Sequence, residues 1–462
     1  MMKRNIRNVL ISTVLLFSLL IGYLLYFEIF TKDTLLTSDY NRRLWEEENK
    51  VTRGNIVDRN GKAIAETVTE GNKKSRVYHG GASIGPLIGY NNKQYGRAGI
   101  EAAYNKELLG MKTKDPLTLF KQDILGIKGR GYDVILTIDS DLQETAYDAF
   151  GGEKGAAVAL NPKTGEILAL VSSPGFDPDD IDKDWEELKS GKNSPLFNRA
   201  VQGLYPPGSV FKIIPLSASL ENIDDLYDLT FHCTGSTDVD GLKIKDYNGT
   251  AHGNIDINRA VEVSCNSTFI NLGLRLGAKD MEEYAGKFGF NKNLDFDLPI
   301  KTSVYPGPSS KRELALSSIG QADVLASPLQ MAMVASAVAN DGHIMHPYIV
   351  KGIADSEGKV NYNRQDETYL LPISETTAQQ IKDMMVNVVK KGTGTAARIS
   401  GITVAGKTGT AEVAGKQSHA WFIGFAPADD PQIVVAVIVE NGGSGGKVAA
   451  PIARHIISEY LK

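Results

Sequence analysis

The stretch GLYPPGSVFKII, residues 203–214, decides how the rest of the chain is read. Pro206 and Pro207 favour extended or first-turn geometry, and Gly208 removes side-chain bulk beside Ser209. A helix starting at about Ser209 would set free N–H groups and the positive end of its dipole at the hydroxyl. That suits a nucleophile whose attack creates an oxyanion. Lys212 follows three residues on, hence on the same helix face. A lysine serves as a base only when neutral, and burial or a neighbouring cation favours that form. The triplet therefore asks for a second positive charge. An ordinary helix cap at Ser209 accounts for the same residues, and S-x-x-K alone leaves both readings open.

Two motifs further along decide between them. Ser264-Cys265-Asn266 and Lys407-Thr408-Gly409-Thr410 follow in order. S-x-x-K, S-x-N and K-T-G together are the set found in penicillin-binding proteins and serine β-lactamases. Lys407 is the expected second cation, and the threonine hydroxyls can hold a carboxylate. Gly409 is expected to let a substrate backbone approach an edge strand closely. Ser264 and Asn266, two apart, are expected to project together from a loop into a cleft.

The resemblance runs along most of the chain. RGNIVDRNGKAIA (53–65) resembles the RGxIxDRNGxxLA segment of class B penicillin-binding proteins, and GIEAAYNKELLG (99–110) resembles their GIExxYNxxLxG segment. GAAVALNPKTGEILALVSSPGFDP (155–178), NRAVQGLYPPGSVFK (198–212), GTGTAA (392–397) and AGKTGTAE (405–412) are similar to their transpeptidase domain. The family implies an α+β fold: an antiparallel sheet flanked by helices, a helical subdomain, a small membrane-proximal domain and one transmembrane helix. It implies a peptidoglycan D,D-transpeptidase. Ser209 attacks the penultimate D-alanine carbonyl of a stem peptide, and Lys212 takes the serine proton. Ser264 and Asn266 relay protons and hold the substrate amide. Lys407, Thr408 and Thr410 position the terminal carboxylate, and the backbone N–H groups of Ser209 and Thr410 form the oxyanion hole. An amine from a second stem peptide resolves the acyl-enzyme. β-Lactams acylate the same serine. No metal or diffusible cofactor is implied, and a SEDS-family glycan polymerase in the membrane is the implied protein partner. One departure stands out. Where the family often has S-I-G-Q-G, this chain has SIGQA, with Ala322 in place of glycine, and a local change of loop is expected there.

Composition agrees with this reading. Net charge is −5 with no long basic run beyond the N-terminus, which argues against nucleic-acid binding. The seven histidines form no HExxH pattern and no CxxC occurs, so no metal site is expected. Cys233 and Cys265 are expected as two free, buried thiols. Lys3, Arg4 and Arg7 precede an apolar run from Val9 to Phe27. About 20 such residues span a bilayer core. The flanking charges place the N-terminus in the cytoplasm and the rest of the chain outside. The expected organisation is a cytoplasmic tail at 1–8, an uncleaved anchor at 9–30, a membrane-proximal pedestal at 31–150 and the transpeptidase domain at 151–462.

Local patterns fill in these domains. Residues 34–52 suggest a short amphipathic helix or stalk, and an Asn60-Gly61 turn predicts a hairpin. Residues 71–95 are expected to be loops, and 98–109 a helix stopped by Gly110. Residues 133–138 read as a strand, with Asp139 or Ser140 capping the helix that follows. Hairpins are expected at 155–173 and around ADDP (428–431), with helices at 327–340, 375–391 and 448–460.

Three rivals deserve a test. GITVAGKT (401–408) satisfies the phosphate-binding G-x-x-x-x-G-K-[ST] pattern, which requires a strand before it and a helix after it. A class A β-lactamase needs a glutamate to activate the deacylating water, and RELAL (312–316) supplies only Glu313, without the expected asparagine after the leucine. A β-lactam sensor needs a cytoplasmic signalling partner or further spans, and only seven residues precede the uncharged stretch, from Asn8, that holds the one apolar run of spanning length.

Overall fold

A computed structural model describes residues 2–27, 51–71, 73–110, 129–355 and 357–462. The helix Met2–Tyr26 is, among the described residues, the one helix long and apolar enough to cross a membrane. The expected stalk at 34–50 lies outside the described residues.

Five strands make the central antiparallel sheet, in the order Ala405–Val413, Lys416–Ala426, Ile433–Val439, Gly155–Leu160, Ile167–Ser173. Both expected hairpins are present, and the sheet joins the two ends of the domain. Every residue from Ile433 to Val439 is buried, because helices cover both faces. Ser140–Asp148 and Ala449–Tyr460 pack on one face, and Pro328–Ala339 on the other. Asp139 is the cap of the first of these, accepting from the N–H groups of Asp141 and Leu142. The strand Ala405–Val413 lies at the sheet's edge. It runs straight through Lys407 and Thr408 and turns back as a hairpin, so no helix follows, and the phosphate-loop reading is excluded.

A second, six-stranded sheet gathers the main strands of the segment expected as the pedestal. The expected hairpin pairs Ile56–Val57 with Ala63–Glu70. Lys73–Tyr78 continues it as a strand, where a loop was expected. It is an edge strand, and its sequence KKSRVY carries the charges that keep an edge from pairing with another chain. Those same charges hide it from a search for apolar alternation. The expected helix at 98–109 is two short ones, Gly99–Ala103 and Asn105–Leu108, broken at Tyr104. The other strands are Asp133–Leu136, Val350–Ala354 and Val360–Asn363, so a segment far along the chain completes the pedestal.

The two pedestal motifs meet in the interior. Glu101, fully buried, receives Arg53 Nε at 2.7 Å and Arg76 Nε at 2.7 Å, while Arg53 Nη1 reaches Asn105 Oδ1 at 2.6 Å. Burial alone would raise the Glu101 carboxyl, but the two guanidinium groups hold it below its ordinary value. RGNIVDRNG and GIEAAYN are thus two halves of one ion-pair network.

Candidate active site

Ser209 sits in a 3₁₀ turn, Gly208–Lys212, and the α-helix begins only at Ile213. This corrects the expected helix start. Pro215 is the cause. In a helix begun at Ser209 it would lack the N–H owed to Phe211 and its ring would clash with that carbonyl, whereas the first turn of Ile213–Asn222 tolerates it. The Ser209 hydroxyl caps neither segment, so the cap reading fails. The turn is fixed from three sides. Gly208 N–H donates to Gly320 O at 2.9 Å, Tyr205 and Ala326 exchange backbone hydrogen bonds, and Trp421 Nε1 donates to Pro206 O at 3.0 Å.

The turn rests directly on the K-T-G strand. A Cβ at Gly409 would lie 3.1 Å from Pro207 O, Val210 Cγ1 and Trp421 Cβ. Gly409 therefore clears room for the turn that carries Ser209, where the sequence suggested room for a substrate backbone. Thr408 and Thr410, on alternate positions of the strand, line the cleft beside Ser209. Thr408 Oγ1 is 2.6 Å from Thr393 Oγ1, which brings the GTGTAA stretch into the site.

Ser264 and Asn266 come from the junction of two helices, Ile257–Val263 and Asn266–Lys287. Cys265 N–H donates to Ala260 O and Ser264 N–H to Val261 O, the paired bonds of a Schellman helix end. Glycine usually takes the left-handed position of that motif; here it is Ser264, at φ 59°. A side chain in this conformation costs on the order of 1 kcal/mol or more.

The strained turn brings the motifs together. Lys212 Nζ donates to Asn266 Oδ1 at 2.7 Å, Ser264 O at 2.7 Å and Ser264 Oγ at 3.3 Å. Lys407 Nζ lies 2.8 Å from the same Ser264 hydroxyl and 3.0 Å from Thr408 O. Asn266 Nδ2 donates to Lys245 O, which orients its amide. Both lysines are fully buried. Burial pushes Lys212 down to about 8, opposed by the acidic groups Cys265 and Asp246. Lys407 is held well below its ordinary value by burial and then by Lys212. The second lysine thus stands beside the first, but burial is what lowers Lys212, and the repulsion falls on Lys407. Ammonium has three donors, and Lys212 uses three partners. A neutral amine keeps the two 2.7 Å bonds and has a lone pair to spare.

The eight residues singled out in the sequence, Ser209, Lys212, Ser264, Asn266, Lys407, Thr408, Gly409 and Thr410, meet at one cleft of about 990 Å³ or directly beneath it. Sequence reasoning missed Thr393 and the far wall, the segment Thr234–Thr250 with His252. It gave no hint of Asp246, which is buried and accepts from Asn266 N–H and from Ser267 Oγ at 2.6 Å. Burial alone would raise Asp246, but the bonds from Ser267, Asn266 and Cys233 keep it low. Ala322 has φ 59°, so the alanine keeps a conformation that favours glycine at this position. Glu313 is absent from the cleft wall; it is exposed and accepts from Ser309 N–H and Oγ at 2.8 Å. Cys233 and Cys265 are both free and buried, as expected.

Comparison with known proteins agrees with this geometry. Residues 155–458 match the family model of the penicillin binding protein transpeptidase domain, and residues 53–134 that of the penicillin binding protein A dimerisation domain. The chain belongs to the class B penicillin-binding proteins, the peptidoglycan D,D-transpeptidases. It is 32% identical to the peptidoglycan D,D-transpeptidase PbpA of Mycolicibacterium smegmatis over 100% of this chain and 99% of that one. Stage V sporulation protein D of Bacillus subtilis is 34% identical over 84% of this chain and 64% of that one. Among solved structures, penicillin-binding protein A of M. tuberculosis in its ceftriaxone acyl-enzyme complex superposes with a TM-score of 0.86 at 31% identity, covering 90% of this chain and 100% of that chain.

Proposed function

We propose that Ser209 is the acylated nucleophile and Lys212 its general base. The observation that carries this is the Ser264 hydroxyl, held between the two buried amines at the floor of the cleft that Ser209 lines. Neutral Lys212 takes the Ser209 proton as Oγ attacks the penultimate D-alanine carbonyl. The backbone N–H groups of Ser209 and Thr410 face the resulting oxyanion. Ser264, bonded to both lysines, passes a proton to the departing D-alanine nitrogen, and the carbonyl re-forms as an ester on Ser209. The amine of a second stem peptide then attacks that ester, Lys212 accepts its proton, and Ser209 is freed. Asn266 fixes Lys212 through its Oδ1, and its Nδ2 lies at the edge of the cleft, where it can hold the substrate amide. Thr408 and Thr410 receive the terminal carboxylate, and its negative charge favours the protonated form of Lys407 beneath them. A β-lactam follows the first half of this path and stops at the ester.

The test is labelling of the full chain in detergent with a fluorescent penicillin. We expect a long-lived adduct that Ser209→Ala abolishes. Label that persists in that variant would refute the assignment. Rapid release of hydrolysed drug would instead favour a β-lactamase, against which the outward, engaged position of Glu313 already argues.

We further infer that Met2–Tyr26 anchors the chain in the membrane with its basic end, Lys3, Arg4 and Arg7, in the cytoplasm and the catalytic domain outside. Protease added to intact spheroplasts should remove the catalytic domain; full protection would refute this orientation. A SEDS-family polymerase is the proposed membrane partner, and failure of the two to co-purify after cross-linking would count against it.

A further inference from the structure

Among the described residues, two carboxylates line the cleft, Asp246 and Glu412. Asp246 is buried and accepts from Asn266 N–H and Ser267 Oγ. Glu412 is exposed and, among the described residues, has no hydrogen-bond or ion-pair partner. The strand that carries K-T-G puts it there. Thr408, Thr410 and Glu412 occupy alternate positions of Ala405–Val413, and all three line the cleft. At Glu412 the ladder to Lys416–Ala426 slips. Ala411 pairs with His419 but Val413 with Lys416, so Gln417 and Ser418 together oppose Glu412. Such a bulge bends its strand and re-aims side chains beside a site. Here Ser418 joins the cleft wall opposite Glu412. The charges of the cleft are divided between its sides. Lys243 and Lys245, exposed on alternate positions of Leu242–Lys245, line the far wall, and Glu412 lies on the side of the K-T-G strand.

We propose that Glu412 is a specificity-determining residue that recognises a cationic amine on the donor stem peptide. This rests on the reading of Ser209 as the acylated nucleophile. In that reading the donor's terminal carboxylate lies at Thr408 and Thr410, and its reacting carbonyl faces the Thr410 N–H. The outer edge of the strand is unpaired, and an extended peptide laid along such an edge adds as a further strand. It advances about 3.4 Å per residue, and Glu412 lies two residues, about 7 Å, beyond Thr410. The first or second residue ahead of D-Ala-D-Ala therefore reaches Glu412.

The chemistry of that residue follows from the reaction. One stem peptide gives the acyl group and another gives the amine, so each copy carries an amine. The donor has no use for its own amine during acylation. Paired with Glu412 as an ammonium, that amine stays protonated and non-nucleophilic, and the ester is kept for the second peptide.

The experiment uses the full chain in detergent and three penicillins with one common acylamino side chain, ending in an amine, an acetylated amine or a carboxylate. That side chain takes the place of the donor's upstream residues. Acylation rate constants are read by competition with a fluorescent penicillin. At low salt we expect the amine to react about fivefold faster than its acetylated form, the scale of one exposed ion pair, and the carboxylate to be slowest. The ranking should shrink as salt is raised. Glu412→Gln should abolish it and Glu412→Lys should reverse it. The ranking in the unmodified chain stands even if a variant misfolds. Equal rates for the three compounds would overturn the proposal alone, as would a ranking that persists in Glu412→Gln. Acylation by none of them would sink the Ser209 assignment and this proposal with it, so the two failures are told apart.

Discussion

Lys407 Nζ stands 2.8 Å from Ser264 Oγ, although 143 residues separate them in the chain. The contact links the edge strand of the sheet to the turn between two helices, and Lys212 reaches the same hydroxyl from the third motif. Replacing Ser264 by alanine removes the group through which both amines communicate. Acylation by penicillin should slow by about 100-fold or more, the usual scale of a lost proton-transfer group. Ser264→Gly should slow it equally while raising the melting temperature, since glycine relieves the left-handed backbone. Stopped-flow labelling and thermal unfolding read the two effects separately, and a Ser264→Ala protein with normal acylation kinetics would remove Ser264 from the mechanism.

The pH dependence follows from Lys212. Burial sets its pKa at about 8, and the amine acts as a base only when deprotonated. The acylation rate should therefore rise with pH below about 8 and level off above it. In the unfolded chain the same lysine titrates near 10.5. Between about 8 and 10.5 the unfolded state binds the extra proton, so this group's contribution to stability increases with pH across that window. An acylation rate flat from pH 6 to 9 would contradict the assignment of Lys212 as base.

Ala322 offers a stabilising change. Its positive φ is one that an L side chain disfavours by about 1 kcal/mol or more, and glycine removes that cost. Ala322→Gly should raise the melting temperature by about 1–2 °C in a chain of this size. Calorimetry decides it; a lower melting temperature would mean that flexibility gained in the unfolded state outweighs the relief.

Glu101→Gln tests the pedestal. The substitution leaves Arg53 and Arg76 buried beside a neutral amide, a loss on the order of 3–5 kcal/mol. Denaturant titration should show that loss, while the protein that remains folded should still be acylated, because the network holds none of the cleft residues.

Most of the active site was legible in the sequence because each motif is a short, local pattern whose chemistry demands the other two. The strands Gly155–Leu160 and Ile433–Val439 were legible too, since burial on both faces writes an unbroken apolar run. Lys73–Tyr78 was not, because an edge strand needs no such run. The 3₁₀ turn at Ser209 hinged on Pro215, three residues beyond the motif. Asp246 and Thr393 were invisible for a different reason: their roles arise from tertiary contacts that no local spacing encodes.

The pedestal sheet has one more consequence. Asp133–Leu136 lies between Ile56–Val57 on one side and Val350–Ala354 on the other. A chain cut near residue 150 would keep Val350–Ala354 but lose the neighbour it pairs with, leaving a bare edge of largely apolar backbone. Such a fragment should self-associate, which light scattering would reveal, and the shortest well-behaved catalytic unit should begin ahead of Arg53. A pull applied at the N-terminal helix would likewise run through hydrogen-bonded strands into the body that holds Ser209. One sheet thus carries strands from both halves of the chain.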